Sequence, residues 1–420
     1  MPPDPHSVPR VVVIGAGFAG LTAGSQLAKL PVDLTIIDRR NHHLFQPLLY
    51  QVATAGLSPA DIASPIRSLF RGRRNTNVLL GQVSDIDTVS RSVIVDDRHL
   101  PYDILVVATG ARHAYFGHDD WEAVAPGLKQ IEDATAIRRR ILIAFERAEA
   151  AEDLAERKRL LTFAVIGAGP TGVELAGALA ELAKVALAMD FRRIDPRDAR
   201  IILIEAGERV LPTFHPSLSA RAEASLLALG VDVRHGTPVT ACTPQGVMIG
   251  NEFVPTATIL WAAGVMASPA AAWLNAAHDR AGRVIVEPDL TLPGQKDVFV
   301  IGDTASVRGP EGAPLPGLAP VAKQQGAYVA KAIARQLAGR RVEPFRYRHL
   351  GSLATIGRGR AVADFGWLRL SGRSAWLLWG LVHIAFLIGF RNRLVVLLDW
   401  LWAYVTFKRG ARLITGAPMN

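Results

Sequence analysis

The chain has 420 residues, of which half are hydrophobic and one fifth are charged, a composition that is typical of a globular protein and excludes a disordered one. This length is sufficient for two or three domains with their own cores. The formal charge of +9 is uneven, because residues 351–420 contain nine Arg or Lys, two Asp and five of the eight Trp. Basic residues and Trp around apolar runs indicate a membrane surface rather than a nucleic acid as the partner of this tail.

The single cysteine, Cys242, excludes a disulfide framework and a Cys-x-x-Cys redox or metal pair. We interpret it as an inert, half-buried thiol. Residues 1–9 are polar and rich in proline, and the first apolar run after them is only a short strand. The sequence therefore predicts no signal peptide, and we expect the protein on the cytoplasmic side of the membrane.

A glycine-rich loop follows the first predicted strand. The apolar run Val11–Ile14 leads into Gly15-x-Gly17-x-x-Gly20, which predicts a buried parallel strand turning sharply into a helix. Gly15 permits the turn, Gly17 admits a pyrophosphate, and Gly20 allows the helix to pack closely on the strand. Asp38 ends the second apolar strand, where a carboxylate accepts from a ribose hydroxyl. The pattern predicts a dinucleotide site.

The next segment, 41–56, is broken by Pro47 and is rich in Phe, Leu and Tyr, so we expect a loop or short helical turn. Apolar loops are usually covered, and a flat ring system extending from the dinucleotide is the attractive cover. We interpret His42 and His43 as polar loop residues rather than ligands.

Three further strands are predicted in the first half of the chain. Residues 78–83 and 92–95 form a strand pair beside the sheet. Residues 102–110 form a buried strand that ends in Ala-Thr-Gly, where small residues let a cofactor pass close to the backbone.

The opening pattern is repeated after a charged helical stretch predicted at 132–156. Gly167-x-Gly169-x-x-Gly172 again joins a strand to a helix, and a later apolar strand ends in Glu205. Two dinucleotide sites on one chain indicate electron transfer between two bound cofactors.

Residues 259–264 close this second unit in the way that 102–110 close the first. A strand at 298–301 then leads to Asp303, at the carboxyl end where ligands lie in open α/β sheets. A helix is predicted from the 317–326 segment to about residue 337.

The tail contains two apolar segments, 375–390 and 394–407, separated by Arg391-Asn-Arg393. Neither reaches the roughly 20 residues that span a bilayer. We expect two helices lying in the membrane interface, with a soluble dimerisation hairpin as the alternative. The cations expected at lipid headgroups are Arg391, Arg393, Lys408 and Arg409.

The acid at the first site and the second contact set near Asp303 suit a permanently held FAD. Glu205 repels a 2′-phosphate and favours NADH over NADPH, although Arg209 lies nearby. Hydride transfer to a flavin needs no protein nucleophile. One cysteine forbids a thiol pair as the next acceptor, which also excludes sulfide oxidation through such a pair and favours a lipid-soluble quinone.

Glu174 follows the second glycine triplet by two residues, in what we expect to be the first turn of its helix. Two roles are open from the residues alone. It either stabilises the helix dipole or handles the nicotinamide or a proton next to the flavin.

Several motifs together resemble the type II NADH:quinone dehydrogenases, which are single-subunit and do not pump protons. The resemblance covers nearly the whole chain, and its most specific parts are PLLYQVA and the RNRL tail, since the glycine loops are shared by all two-dinucleotide flavoproteins. The motifs are NHHLFQPLLYQVATAGL, GAGPTGVELAG, LWAAGV, VFVIGDTA, GLAPVAKQQG, HIAFLIGFRNRL and DWLWAYVTFKRGARLI.

The resemblance implies one non-covalent FAD, NADH as substrate and quinone as acceptor. The FAD set is Gly15, Gly17, Phe18, Gly20, Asp38, Arg39, Val83, Thr109, Gly110, Asp303, Lys323 and Gln324, and the NADH set is Gly167, Gly169, Thr171, Gly172, Glu205 and Gly264. Glu174 matches the family's acid between the nicotinamide and quinone sites. Pro320 replaces the first Gln of a quinone-side motif, which shifts the catalytic prediction to Gln324 and Gln325. The lack of a calcium-binding insertion favours a bacterial-type enzyme.

The predicted fold class is α/β, with two Rossmann-like domains of the glutathione-reductase type and a C-terminal membrane-associating helical region. The domains are residues 1–125 with 290–350 for FAD, 126–289 for NADH and 351–420 for membrane anchoring. The membrane residues are Trp376, Trp379, Arg391, Arg393, Trp400 and Trp402.

The predicted function is electron transfer from NADH through FAD to ubiquinone or menaquinone, as an entry enzyme of the respiratory chain. It places the protein peripherally on the cytoplasmic face of the cell membrane, against anionic lipid, without nucleic acid and with a homodimer left open. The competing hypotheses are a soluble NADH reductase for a small electron-carrier protein and a membrane-bound flavin redox sensor.

Overall fold

A computed structural model describes residues 8–309, 312–406 and 410–415. Two groups of residues used in the sequence predictions lie outside this range. They are residues 1–7, on which the signal-peptide prediction partly rests, and the lipid-binding candidates Lys408 and Arg409. The chain divides into two compact units. The first unit comprises residues 1–43, 64–112 and 265–349, and the second comprises residues 44–63, 113–264 and 350–420.

The described residues form 25 strands and 12 α-helices. The strands are β1 (Arg10–Ile14), β2 (Asp33–Asp38), β3 (His42–Leu44), β4 (Ala63–Pro65), β5 (Thr76–Leu80), β6 (Val83–Asp87), β7 (Ser92–Val95), β8 (Arg98–Pro101), β9 (Ile104–Val107), β10 (Ala111–His113), β11 (Thr162–Ile166), β12 (Arg200–Glu205), β13 (Val231–His235), β14 (Val239–Thr243), β15 (Gly246–Ile249), β16 (Glu252–Pro255), β17 (Thr258–Trp261), β18 (Val265–Ala267), β19 (Val284–Ile285), β20 (Thr291–Leu292), β21 (Gln295–Val300), β22 (Ala305–Ser306), β23 (Ser352–Gly357), β24 (Arg360–Asp364) and β25 (Arg369–Ser371). The helices are α1 (Phe18–Leu27), α2 (Leu49–Ala53), α3 (Pro59–Ile62), α4 (Ile66–Leu69), α5 (Ile131–Ala150), α6 (Leu154–Leu160), α7 (Pro170–Glu181), α8 (Pro216–Ala228), α9 (Ala270–Trp273), α10 (Ala319–Leu337), α11 (Arg373–Phe386) and α12 (Phe390–Thr406).

The first unit is built on a six-stranded sheet in the order β20-β21-β9-β1-β2-β5. All neighbours are parallel except β20 and β21. The central strand β1 is a run of β-branched residues that are at most 3% exposed from Val11 to Ile14, as expected for a strand covered on both faces. Helix α10 packs on α1 so closely that a Cβ at Gly326 would lie 2.2 Å from the carbonyl oxygen of Ala19.

The second unit repeats this plan with the parallel sheet β13-β12-β11-β17. In both units an antiparallel three-stranded sheet is inserted in the chain directly before a parallel strand that pairs with the first strand of the unit: β6-β7-β8 precedes β9, and β14-β15-β16 precedes β17. The predicted α/β class with two Rossmann-type units is therefore confirmed. The thiol of Cys242 is buried in the core of the second unit, and burial raises its pKa to about 12, consistent with an inert group.

Two predicted elements are wrong in their bounds. The strand expected at 78–83 is interrupted: β5 joins the main sheet, whereas β6 begins the separate antiparallel sheet. Gly81 lies at the break, where a Cβ would come within 2.5 Å of the Val95 side chain. The helix expected at 132–156 is also interrupted, because the Asp153 side chain accepts from the Glu156 amide at 2.9 Å and starts a new helix.

The C-terminal region was predicted to be helical, but it also contains strands. Strands β23, β24 and β25 form an antiparallel sheet before the two tail helices begin. The tail helices are separated at residues 387–389 rather than at the arginines, because Gly389 adopts a left-handed conformation with φ of +86°. Arginine is a good helix former and continues α12. Among the described residues, no helix has the length and apolar character needed to cross a bilayer.

The compact units divide the chain differently from the predicted domains. Residues 44–63, 113–125 and 350 belong to the second unit, and residues 265–289 belong to the first. Residues 265–289 belong to the first unit because they bond to other parts of it: β19 pairs with β22, and the Ser268 amide donates to the Gly110 carbonyl at 3.0 Å. Residues 351–420 lie within the second unit.

Candidate active site

The first glycine loop has the geometry of a dinucleotide cradle. Gly15 has φ of +95°, and a Cβ there would lie 2.4 Å from the Ala108 carbonyl oxygen. A Cβ at Gly20 would lie 1.8 Å from the Gly15 carbonyl oxygen, so the helix start leaves no room for a side chain. Gly17 faces open space. The loop thus leaves its backbone N–H groups approachable by an anion at the start of α1.

The carboxylate of Asp38 fixes this loop. It accepts from the Ala16 amide at 2.7 Å and from the Arg40 amide at 2.8 Å. Each carboxylate oxygen has a second lone pair, so these bonds leave acceptor capacity for a ribose hydroxyl.

The second glycine loop repeats the same geometry. Gly167 has φ of +98°, and a Cβ at Gly172 would again lie 1.8 Å from the carbonyl oxygen of the loop's first glycine. Gly169 faces open space. Glu205 accepts from the Ala168 amide at 2.7 Å and from the Gly207 amide at 2.8 Å. The two loops are structural duplicates, each tied to an acid at the end of the neighbouring strand.

Hydroxyl groups meet at the end of β9 in the first unit. The Thr109 hydroxyl lies 2.5 Å from the Ser268 hydroxyl and 3.3 Å from that of Thr304. The Gly110 amide donates to the Thr304 hydroxyl at 2.8 Å. These bonds fix the Ala-Thr-Gly segment at residues 108–110, which was predicted to lie close to a cofactor.

Gln324 and Gln325, predicted as catalytic residues, both have backbone partners. The Gln324 amide donates to the Arg348 carbonyl at 2.9 Å and accepts from the Arg348 amide at 3.0 Å. Gln325 is 1% exposed and accepts from the Gly302 amide at 2.6 Å, which fixes the turn before Asp303. These bonds hold both side chains in place. Each carboxamide has a further N–H group and a further lone pair, so contact with a quinone does not require the bonds to break.

Pro320 occupies the first turn of α10. A helix loses no hydrogen bond to proline at this position, because the first amides have no partner within the helix. The structure thus explains why proline is tolerated at residue 320.

His43 is a buried residue of strand β3 rather than a polar loop residue, which corrects the sequence interpretation. Its side chain is 2% exposed, and Nδ1 lies 2.8 Å from the Ala16 carbonyl oxygen in the first loop. The Phe18 ring contacts it edge-on at 5.3 Å between centroids. Burial lowers the pKa of His43, so the ring is neutral at physiological pH.

Glu174 is the fifth residue of α7, not part of its first turn as predicted, because the helix begins at Pro170. This position weakens the helix-dipole interpretation, since the effect falls off within the first turn. Burial raises the pKa of Glu174 to about 8. The Thr355 amide of β23 is 3.5 Å from Oε1, a long contact that compensates little. The side chain is therefore mostly protonated at neutral pH.

Helix α7 contacts β23 along its length. A Cβ at Gly177 would lie 1.7 Å from the Ile356 carbonyl oxygen, so this approach requires glycine. One turn further on, the Glu181 side chain accepts from the Arg358 amide at 2.5 Å. The helix that carries Glu174 is thus fixed to the C-terminal sheet.

An aromatic cluster joins the 44–63 segment to the tail helices within the second unit. The Trp400 indole donates to the Gln51 side chain at 2.8 Å, and the rings of Trp379 and Trp400 stack at 5.2 Å. His383 lies 4.3 Å from the Trp379 ring and 6.1 Å from the Phe45 ring. Burial lowers the pKa of His383 to about 4, so its ring is neutral.

The predicted membrane residues do not share one environment. Trp379 is 3% exposed, so the prediction that it contacts the membrane is wrong: its ring fills the aromatic cluster. Trp376 and Trp400 are half-buried, whereas Trp402 is 64% exposed. Arg391 and Arg393 are both exposed in the first turn of α12.

The remaining predicted cofactor residues lie near the two loops or at sheet edges. Arg39 and Thr171 are exposed, Val83 is buried at the start of β6, and Lys323 is half-buried in α10. Gly264 follows the last parallel strand of the second unit, and a Cβ there would lie 2.5 Å from the Phe116 ring.

Several site residues were not identified from the sequence. In the first unit, the hydroxyls of Ser268 and Thr304 approach Thr109 only through tertiary contacts. In the second unit, the amides of Thr355 and Arg358 approach helix α7 in the same way, and no motif marks any of the four residues. Phe116 could have been noticed in the sequence, because it precedes Gly117 and glycine often marks a turn. It is 69% exposed and has φ of +53°, a conformation unfavourable for a bulky residue.

Family models match most of the chain. The model described as pyridine nucleotide-disulphide oxidoreductase matches residues 9–326, and the NDH2 C-terminal domain matches residues 349–408. The second match includes the antiparallel sheet and both tail helices.

Relatives and solved structures agree with these matches. The type II NADH:quinone oxidoreductase Ndh of Mycobacterium tuberculosis is 45% identical over 99% of this chain and 91% of its own length. NdhA of the same organism is 44% identical over 97% and 89% of the two chains. NDH2 of Plasmodium falciparum, solved in complex with NADH, matches the fold with a TM-score of 0.88 at 21% identity, over 96% and 99% of the chains. The chain belongs to the type II NADH:quinone oxidoreductases.

Proposed function

We propose that this chain holds FAD non-covalently in its first unit, binds NADH in its second unit and transfers the electrons to a membrane quinone without pumping protons. The observation that carries the proposal is the duplicated loop, in which Asp38 and Glu205 accept from equivalent amides at the same distance of 2.7 Å. Duplicate cradles on one chain fit two dinucleotides that react with each other. This chemistry suits an entry enzyme of the respiratory chain.

The residues of the first unit fit FAD. Gly17 leaves space for a pyrophosphate, and Asp38 retains acceptor capacity for a ribose hydroxyl. The hydroxyls of Thr109, Ser268 and Thr304 line the end of β9, and Gln325 fixes the turn that carries Asp303. His43 offers a buried ring nitrogen beside the loop.

The residues of the second unit fit NADH rather than NADPH. Glu205 lies where a ribose 2′-hydroxyl would bind, and its charge would repel a 2′-phosphate. The solved Plasmodium falciparum NDH2 complex contains NADH, and both mycobacterial relatives are named as NADH:quinone oxidoreductases. These names support NADH as the donor and quinone as the acceptor here.

Bound FAD would supply the two-electron carrier between NADH and quinone. The chain's own contribution is positioning, exclusion of water and control of a proton. Glu174 keeps a proton on its carboxyl group up to about pH 8, because burial disfavours its charged form. A neutral acid of this kind donates a proton at physiological pH, and quinone reduction consumes protons. We therefore assign proton donation to Glu174, with Gln324 and Gln325 as positioning residues.

The tail helices fit peripheral binding to anionic lipid on the cytoplasmic face. Their exposed residues include large apolar side chains, while Arg391 and Arg393 add positive charge for lipid headgroups. The apolar residues are Leu377, Leu381, Phe390, Leu398, Leu401, Trp402 and Val405, each at least 54% exposed.

Membrane binding is tested with vesicles that contain anionic lipid. We expect the double variant Leu381→Glu/Val405→Glu to lose sedimentation with the vesicles but to keep NADH-dependent flavin reduction. The control is Leu154→Glu in α6, which changes a side chain that is 72% exposed outside the tail. Equal sedimentation of all three proteins would contradict the proposal. Deletion of the tail is a poorer test, because Trp379 and Val396 are buried within the unit.

The cofactor assignment is tested on the purified protein. Heat should release a flavin that co-elutes with FAD on chromatography, and anaerobic NADH should bleach the flavin absorption while NADPH acts far more slowly. A protein that contains FMN or no flavin after refolding with FAD would contradict the proposal. Reoxidation by a small carrier protein but not by quinone would favour the soluble reductase instead.

A further inference from the structure

His43 occupies an unusual position at the first glycine loop. It lies in neither the glycine motif nor the strand ends, yet its Nδ1 contacts the Ala16 carbonyl oxygen at 2.8 Å. The amide of the same residue, Ala16, donates to Asp38 at 2.7 Å. One residue of the loop is therefore held from both sides, by a carboxylate and by an imidazole.

The contact with Ala16 determines the tautomer of the ring. A carbonyl oxygen only accepts, so Nδ1 carries the hydrogen and donates it. The ring is neutral because it is buried, and the charges around it are those of Lys323, Asp38 and the neighbouring His42. A neutral imidazole with hydrogen on Nδ1 presents a lone pair at Nε2.

Nε2 of His43 has no hydrogen-bond partner among the described residues, and the side chain is 2% exposed. Buried polar atoms in native proteins are nearly always paired, so an unpaired acceptor at a ligand cradle indicates a donor on the ligand. The second loop provides a contrast. There the equivalent carbonyl, that of Ala168, is held by the Leu211 backbone amide at 2.8 Å, which offers no acceptor.

We propose that His43 binds FAD directly, accepting at Nε2 a hydrogen bond from a sugar hydroxyl of the cofactor. This inference rests on the proposed function, which places FAD in the first unit. The pyrophosphate that the loop holds has only acceptor oxygens at neutral pH and cannot satisfy Nε2. The nearest donors on either side of a pyrophosphate are the adenosine ribose hydroxyls and the ribityl hydroxyls, whereas the adenine amine and the flavin N–H lie at the far ends.

The test measures FAD affinity by reconstitution of the apoprotein and fluorescence titration. Removing one hydrogen bond at a buried site weakens binding by about tenfold, which we expect for His43→Phe. His43→Gln retains a donor and an acceptor and should recover most of the affinity. The control is His278→Phe, which changes an exposed histidine of the same unit and should bind FAD within about twofold of the unmodified protein.

FAD analogues distinguish the two sources of the hydroxyl. Each analogue lacks one hydroxyl group: the adenosine 2′-hydroxyl, the adenosine 3′-hydroxyl or a ribityl hydroxyl. We expect one analogue to bind the unmodified protein about tenfold more weakly than FAD and to bind His43→Phe no more weakly than FAD does. The sensitive analogue identifies the hydroxyl that donates to His43.

Two results would overturn the inference. One is equal FAD affinity of His43→Phe and the unmodified protein, as expected if a water molecule satisfies Nε2. The other is an undiminished preference of His43→Phe for FAD over every analogue. If that variant does not fold, the analogues still decide, because equal binding of all of them to the unmodified protein excludes a hydroxyl donor. Failure of the unmodified apoprotein to bind FAD would instead refute the proposed function.

Discussion

The two glycine loops have nearly the same backbone and different surroundings. Gly15 and Gly167 have φ of +95° and +98°, and the acids at the strand ends accept from the loops at the same 2.7 Å. Around the first loop a buried histidine holds the Ala16 carbonyl, and around the second a backbone amide holds the equivalent carbonyl. The geometry of the cradle fits a dinucleotide in both units. We expect the residues around each cradle to determine whether that dinucleotide stays bound or exchanges.

The helices that begin at the two loops differ in the same way. Helix α1 is covered by α10, and Ala19 in its first turn is 4% exposed. The equivalent residue of α7, Thr171, is exposed, and the other side of α7 carries Glu174 onto β23. The covered start of α1 suits a cofactor that stays bound, whereas the exposed start of α7 suits a substrate that exchanges.

Matched substitutions in the two cradles should separate these roles most strongly. A Cβ at Gly20 or at Gly172 would lie 1.8 Å from a backbone oxygen, so alanine must displace either loop. We expect Gly20→Ala to be purified without flavin. We expect Gly172→Ala to retain FAD but to lose about a hundredfold in kcat/KM for NADH. Flavin absorption and steady-state kinetics measure both effects, and loss of FAD from Gly172→Ala would contradict the division of roles.

The next largest effect is expected at Glu174. Glu174→Gln removes the proton that burial keeps on the side chain, so we expect quinone-coupled kcat to fall by about a hundredfold. FAD content should not change. In the unmodified enzyme, kcat should decrease as the pH rises through about 8, and this decrease should be absent in Glu174→Gln. The exposed Glu146 of α5 provides the control Glu146→Gln, and equal turnover of all three proteins would reject the role.

The nucleotide preference of the second cradle depends on Glu205. In Glu205→Ser the repulsion of a 2′-phosphate is lost while the half-buried Arg209 remains nearby, so we expect kcat/KM for NADPH to rise about tenfold. The measurement is the ratio of kcat/KM for NADH to that for NADPH. The matched variant Asp38→Ser should weaken FAD retention and leave this ratio unchanged, and an unchanged ratio in Glu205→Ser would contradict the assignment.

A smaller effect is expected on stability. The pKa of Glu174 is raised on folding from an ordinary value of 4.5 to about 8, so the folded protein holds a proton that the unfolded chain has released in this range. The free energy of unfolding therefore falls as the pH rises from about 5 to 8. We expect Glu174→Gln to lack this loss and to melt roughly 2 °C higher than the unmodified protein at pH 8, with no gain at pH 5. A difference in Tm that does not depend on pH would contradict the raised pKa of Glu174.

The cradles could be predicted because their determinants are local. The spacing of Gly15, Gly17 and Gly20 and the acid at the end of β2 lie within 24 residues, and the same pattern recurs from Gly167. Tertiary contacts were not readable in this way. The sequence predicts a polar loop residue at His43, because nothing in its neighbours indicates that its ring reaches the Ala16 carbonyl.

The tail shows a second reason why parts of the fold could not be predicted from the sequence. The sequence predicts a break between the two helices at the arginines near residue 391, but charge alone does not end a helix. The left-handed Gly389 ends it instead. The strands β23–β25 were missed because each is six residues or shorter and lies among glycines and arginines. Trp379 was assigned to the membrane by composition, which does not distinguish the buried face of an amphipathic helix from the exposed one.

The central claim is that the two cradles serve one electron path, from NADH to FAD to quinone. Anaerobic stopped-flow spectroscopy tests it most directly, by mixing the protein first with one equivalent of NADH and then with a soluble ubiquinone or menaquinone analogue. We expect NADH to bleach the flavin and the quinone to restore its absorption at least as fast as steady-state turnover. A flavin that stays reduced in the presence of both quinone analogues would contradict electron transfer from FAD to quinone.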